Sequence, residues 1–296
     1  MSYLSRFAIA LFVSVPVLAG SVQAQGHDLA IDFRTSESGM ASGKPMNGSG
    51  TAHGVFSKGR VRYDMKGNTR GMALPGMAPS DSTSFIILDN GATIIFLQPE
   101  TKQYMRMRPA EAMDGMQKML EGMGAAMKFD VSGDDPKVEK LGPGPTILGH
   151  HTTHYRVTGR MKVSVAVMGQ SQGVETSTVS DEYVTPDIEN ITDPFHSSGS
   201  SPVGGLFGAS FKTYMDKMKA TQAKLGGFPL RMETHVTTSS AAGQSSDIRS
   251  VNEITAIHTI TASPSLFEVP AGYTQITMPT MPNMPPRQGP APSTKH

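Results

Sequence analysis

From His154 to Met168 the chain alternates between apolar and polar residues. Tyr155, Val157, Met161, Val163, Val165 and Val167 fall on one side, and Arg156, Thr158, Arg160, Lys162 and Ser164 on the other. Side chains two residues apart share a face of a β-strand, so this run predicts a strand roughly 50 Å long. A strand of that length does not fit a small flat sandwich. It fits a strongly curved antiparallel sheet with one wet side.

Other segments repeat the pattern. Asp28 to Thr35 alternates modestly, and Val61, Tyr63 and Met65 share one face of Arg60–Lys66 behind a turn at Ser57-Lys58-Gly59. Ser84–Leu88 and Thr93–Leu97 flank Asp89-Asn90-Gly91, and Asn-Gly is a strong hairpin signal. A turn at Pro99–Lys102 leads into Gln103–Arg108, which carries Met105 and Met107. Val174–Tyr183 is placed to pair back on the long strand. Leu230–Thr238 and Ser246–Thr261 form an antiparallel pair through Ala241-Ala242-Gly243.

Two helices interrupt the strands. Pro109 opens the first, with Glu111 and Asp114 near its positive end. Met113, Met116, Met119, Leu120, Met123 and Met127 follow at spacings of three and four, one apolar stripe. Gly115, Gly122 and Gly124 each weaken this helix by about 1 kcal/mol, so it needs a surface to lie on. The second helix spans Ala209 to Leu225 and ends at Gly226-Gly227, with Phe211, Tyr214, Met215, Met218 and Leu225 as its stripe.

The amino terminus addresses the chain. A short polar start with Arg6 precedes the apolar run Phe7–Ala19, and Val22-Gln23-Ala24 offers small residues where a signal peptidase reads. The expectation is a signal peptide over 1–24, export to the periplasm, and a mature chain from Gln25. One domain is expected over 25–277, with flexible insertions near 67–82 and 196–208. The Pro- and Met-rich tail over 278–296 is expected to be disordered.

Composition removes whole classes of function. The 296 residues contain no Cys, which excludes disulfides, thiolate metal sites, cysteine nucleophiles and acyl-anchored lipoproteins. A formal charge of +1 gives no electrostatic case for nucleic acid. Gly169-Gln170-Ser171-Gln172-Gly173 matches a nucleophile-elbow pattern, but a strand-like run follows where that motif needs a helix. No catalytic residue and no cofactor are assigned. His150, His151 and His154 cluster, and His150 and His154 share a strand face, so they are weak metal candidates lacking a third ligand next to them. The 21 methionines leave two readings open: an apolar surface that accepts varied partners, or thioether sites for Cu(I).

Several short motifs in order carry a resemblance. They are Lys58-Gly59-Arg60-Val61-Arg62-Tyr63-Asp64, Phe85-Ile86-Ile87-Leu88-Asp89, Gln103-Tyr104-Met105, His154-Tyr155-Arg156-Val157, Glu182-Tyr183-Val184-Thr185-Pro186-Asp187, Gly227-Phe228-Pro229-Leu230-Arg231 and Phe267-Glu268-Val269-Pro270-Ala271-Gly272-Tyr273. Together, over about Asp28 to Thr277, they resemble a bacterial envelope domain of unknown function similar to the LolA/LolB lipoprotein carriers. The resemblance implies a mainly β fold with helices, an eleven-stranded half-open β-barrel closed by a helical lid over an apolar cavity for acyl chains. With the alternation, it places Val61, Tyr63, Met65, Met105, Met107, Tyr155, Val157, Met161, Val163 and Val165 on the cavity wall. The Met113–Met127 stripe becomes the lid. The implied function is non-enzymatic binding of a lipid or acylated partner. The alternatives are a Met-based Cu(I)-binding envelope protein and a structural or protein-interaction module without a small ligand.

Overall fold

The computed structural model describes residues 21–22, 28–41, 43–67, 80–111, 127–167, 170–188, 191–192, 213–214, 216–217, 220–221, 223–240 and 243–277. Strand β1 (Ser21–Val22), inside the expected leader, pairs antiparallel with β11 (Ile191–Thr192) apart from the main sheet. The main sheet is open and has 12 strands, ordered β14-β7-β6-β5-β4-β3-β2-β13-β12-β10-β9-β8.

The first half is a meander. It runs through β2 (Asp28–Ala41), β3 (Lys44–Ser57), β4 (Arg60–Gly67), β5 (Ser82–Leu88), β6 (Thr93–Gln98) and β7 (Gln103–Met107). Its turns are those the sequence marks: Lys58 and Gly59 have φ of 42° and 77°, and Asp89, Asn90 and Gly91 have 53°, 54° and 96°. Left-handed backbone of this kind gives two strands the right-handed twist a hairpin needs. The second half is another meander of β8 (Met127–Pro143), β9 (Thr153–Val167), β10 (Gln170–Thr185), β12 (Phe228–Ser240) and β13 (Ser245–Ile260). One ladder joins the halves, from Asp28 opposite Ile260 to Ala41 opposite Ser246. The short β14 (Thr274–Gln275) adds in parallel to β7.

The β8 edge is protected. β8 carries Asp134, Asp135, Pro136, Lys137 and Pro143, with register breaks after Asp134 and after Lys140. Charge, proline and bulges discourage pairing with another sheet. Gly133 in this strand lets the backbones approach closely, because a Cβ there would clash with the Arg160 carbonyl oxygen of β9.

Antiparallel partners directly opposite each other point the same way, so the registers define two faces. The outer face bears a core over β2, β3, β5 and β6. There Ala30, Val55, Ile86, Ile95 and Leu97 pack under Ala262 and Phe267 of the segment after β13. Asp28 Oδ2 accepts from the Ala262 amide at 2.7 Å, and Arg62 Nη1 donates to the Leu266 carbonyl at 3.1 Å, holding that cover down. The inner face carries the main core: Ile31, Phe56, Val61, Tyr63, Ile87, Ile94, Phe228, Leu230 and Ile254.

The long alternating run is β9, as its sequence predicts, and the sheet is open, but its strand count differs from the eleven of the expected half-open barrel. It has 12 strands and ends at β8 and β14, which do not pair with each other among the described residues. Met127, assigned by spacing to the helical stripe, is instead the first residue of β8, opposite Val167. Strand pairing with β9 there outweighs a weak, glycine-rich helical pattern. The expected leader residues 1–20 and 23–24, the insertions at 68–79 and 196–208, and the tail 278–296 lie outside the described residues.

Candidate ligand-binding face

The cavity-wall residues expected from the sequence share a single face. Val61, Ile87, Ile94 and Met107 stand opposite one another across β4 to β7, as do Tyr63, Phe85, Phe96 and Met105. Across the seam, β9 presents Tyr155, Val157, Met161 and Val163 to the same side, opposite Glu182, Ser180, Thr176 and Val174 of β10. Val165 continues the register of that strand opposite Gln172. Val61, Tyr63, Met105, Val157 and Met161 are buried. Phe33, Met65, Phe85, Phe96 and Met107 pack on the core yet remain partly exposed. Met113, Met116, Met119, Leu120 and Met123 lie outside the described residues.

Space for Tyr63 comes from Gly54, since a Cβ there would press on the Tyr63 and Phe56 rings. Edge-on contacts with Phe33 and Phe56, at centroid distances of 6.0 and 5.6 Å, fix that ring. Its hydroxyl is buried with no hydrogen-bond partner among the described residues, and burial drives its pKa upward.

Part of this face is covered by the second helix that the sequence predicts, one not expected as the lid. Thr213, Tyr214, Asp216, Lys217, Ala220 and Thr221 are helical. Tyr214 packs on Val131 and Met161, and Leu225 packs on Val157 and Val184. Lys217 pairs with Asp135 of β8, tying the helix to the sheet edge.

Between the apolar areas runs a polar belt that the sequence reading missed. The registers align Glu182, Met232, Asn252 and Thr35 in one rank, and Ser180, Thr234, Ser250 and Glu37 in the next. Glu182 is 4% exposed and Asn252 2%. Ser180 and Thr234 hydroxyls lie 3.2 Å apart, and Ser180 also hydrogen-bonds Glu182. Burial dominates and pushes the Glu182 carboxyl up to about 7. Desolvation likewise raises Glu37. Asn252 Nδ2 has no partner among the described residues. A signal was present: Thr234 interrupts the apolar phase Leu230, Met232, Val236, and Asn252 falls in phase with Ile254 and Ile248.

The outer face is ionic away from its small core. Four histidines pair across it or beside it with carboxylates: His53 with Asp32 at 2.6 Å, His150 with Asp187 at 3.1 Å, His154 with Asp181 at 3.0 Å and His235 with Asp247 at 2.9 Å. His154 and His150 thus serve separate aspartates. Among the described residues no group of three or more His, Cys, Asp or Glu is placed to hold a metal. Burial works against the Asp64 charge, but hydrogen bonds from Arg62 and Ser84 outweigh it and lower its pKa. A cleft of about 590 Å³ also opens here, lined by Arg160, Glu175, Ser177, Thr237 and Asp247 with Met40 at its rim. Its lining is hydroxyl-rich and charged, so it is not the apolar cavity the resemblance implies. Ser171 lies in β10 opposite Ala166, within a strand and not at a strand-to-helix elbow.

A mainly β protein built on one large, open, curved sheet, apolar on its inner face, is the class this geometry defines. The chain belongs to a family described as a domain of unknown function, DUF4412, whose model matches residues 38–273. That agrees with the sequence motifs, which point to a domain of unknown function. No curated protein matches the chain. Among solved structures it is similar to PNGF-II, at 10% identity and a TM-score of 0.27, over 83% of this chain and 31% of that one. The chain therefore spans about a third of that protein's length. It is also similar to a domain described as that of an outer membrane lipoprotein-sorting protein from Vibrio parahaemolyticus, at 9% identity and a TM-score of 0.26, over 81% of this chain and 89% of that one. A DUF1329 family protein from Desulfovibrio piger follows at 9% identity and a TM-score of 0.17, over 82% of this chain and 90% of that one. Likenesses this distant carry no argument about function.

Proposed function

We propose that this protein is a non-enzymatic periplasmic binder of a hydrophobic ligand, a lipid or an acylated partner, held against the inner face of the sheet. One observation carries the reading. Phe33, Met65, Phe85, Phe96 and Met107 form a strip on that face that packs on the core and still meets solvent. Removing apolar surface from water is worth about 25 cal/mol per Å², so such a strip favours an apolar occupant. Methionine side chains adapt to chains of different length and shape. The helix bearing Tyr214 acts as a lid. Native mass spectrometry of protein purified from the exported fraction tests the proposal. Co-purified lipid is the expected result; copper, or no small molecule together with no uptake of added lipid, overturns it.

A further inference from the structure

The polar belt has no evident role in folding. Burying amides, hydroxyls and carboxyls in an apolar face is unfavourable unless each finds a partner. Valine or leucine at these positions would make a more stable sheet. Yet Glu182, Ser180, Thr234, Ser250 and Asn252 are all buried, on three strands of one face, between two apolar areas. Asn252 is the sharpest case, because its amide nitrogen is 2% exposed as a residue and donates to nothing among the described residues. It stands in the rank next to Phe33 and Ile254, at the end of the half-exposed strip. A ligand chain lying along that strip passes the belt.

We infer that the belt is a polar recognition point within the apolar face, where Asn252 Nδ2 donates to a neutral acceptor, such as an ester or amide carbonyl, carried by an amphiphilic ligand. This inference rests on the apolar-ligand reading above and narrows it: the ligand is an amphiphile with a carbonyl beside its chain, not a bare hydrocarbon. Ser180, Thr234 and Glu182 supply further donors and acceptors on the neighbouring strands for the rest of that polar group. The belt is buried, and burial penalises a charged group, so the group read there is uncharged.

The test uses the full-length exported protein and displacement of N-phenyl-1-naphthylamine. Methyl laurate is compared with pentadecane, which has the same number of heavy atoms. Each affinity is corrected for the compound's own transfer from water. The wild type should favour the ester, and Asn252→Leu should reduce that preference roughly three- to tenfold, the worth of one hydrogen bond. The variant should be at least as stable as the wild type, since it removes an unpartnered buried amide. Asn252→Ala gives the same reading if the leucine variant does not fold. If both compounds displace the probe and the preference is unchanged in the variants, the belt is only structural and the inference fails while the apolar reading stands. If neither compound displaces the probe, both fail.

Discussion

At the residue scale the inner face is governed by two buried ionisable side chains whose surroundings supply little compensation. Glu182 is driven up to about 7 by burial, from an ordinary value near 4.5. Its folded pKa is therefore above its unfolded one. Below the unfolded value both states are protonated, and its contribution is fully present. As pH rises from the unfolded to the folded value only the unfolded state ionises, so stability falls, and the loss is complete above the folded value. Between about pH 4.5 and pH 7 this amounts to about 3 kcal/mol at most. Urea denaturation across that window should show the decline, and Glu182→Gln should flatten it. Tyr63 makes a second case. Its hydroxyl is buried without a partner among the described residues. Tyr63→Phe keeps the ring contacts with Phe33 and Phe56 and should leave stability unchanged or raise it by up to about 1 kcal/mol. A loss above 1 kcal/mol by the same denaturation would mean the hydroxyl is bonded. The alternation places Tyr63 on the inner face, because period two is a local property. Glu182 is not legible in this way: its phase along β10 also includes Thr176, Thr178 and Ser180, so only the cross-strand register shows it buried.

At the element scale, hairpins were readable and edges were not. Lys58-Gly59 and Asp89-Asn90-Gly91 turn as their residue types require. β3 was missed because Asn47-Gly48-Ser49-Gly50 has little strand propensity and is held by β2 on one side and, from Gly50, by β4 on the other. β8 was missed for a related reason. Its charges, Pro136 and Gly133 suit an edge and obscure a strand. Gly133→Ala should cost about 1–3 kcal/mol, because the methyl group meets a carbonyl oxygen that the β8–β9 ladder holds in place. Thermal unfolding measures it, and an unchanged midpoint would contradict the close approach of the two backbones. The covering helix offers a complementary change. Tyr214→Ala removes the ring that lies over Met161 and Val131. The sheet beneath keeps its own hydrogen bonds, so the protein should remain folded, with N-phenyl-1-naphthylamine fluorescence increased several-fold. Equal fluorescence would mean the ring does not shield the face.

At the scale of the whole molecule, the expected wet-sided antiparallel sheet is present as one open sheet, with 12 strands among the described residues in place of the eleven of the expected half-open barrel. Strand count and closure depend on which edges meet, and no local pattern encodes that. The position of the polar belt is hidden for the same reason, since it straddles β10, β12, β13 and β2, residues distant in the chain. Export belongs to this scale as well: amino-terminal sequencing of the exported protein should begin at Gln25, and an intact Met1 would refute the leader. The single ladder between β2 and β13 has a kinetic consequence. Every other pairing of long strands joins neighbours in the chain or strands separated by one excursion, so each meander can zip from its own turns. The seam instead closes a loop of some two hundred residues, at an entropic cost of about 5 kcal/mol. Each half should therefore order ahead of the seam, so the belt, ranked on β10, β12 and β13 within one meander, gains its β2 flank of Thr35 and Glu37 only when the two meanders meet.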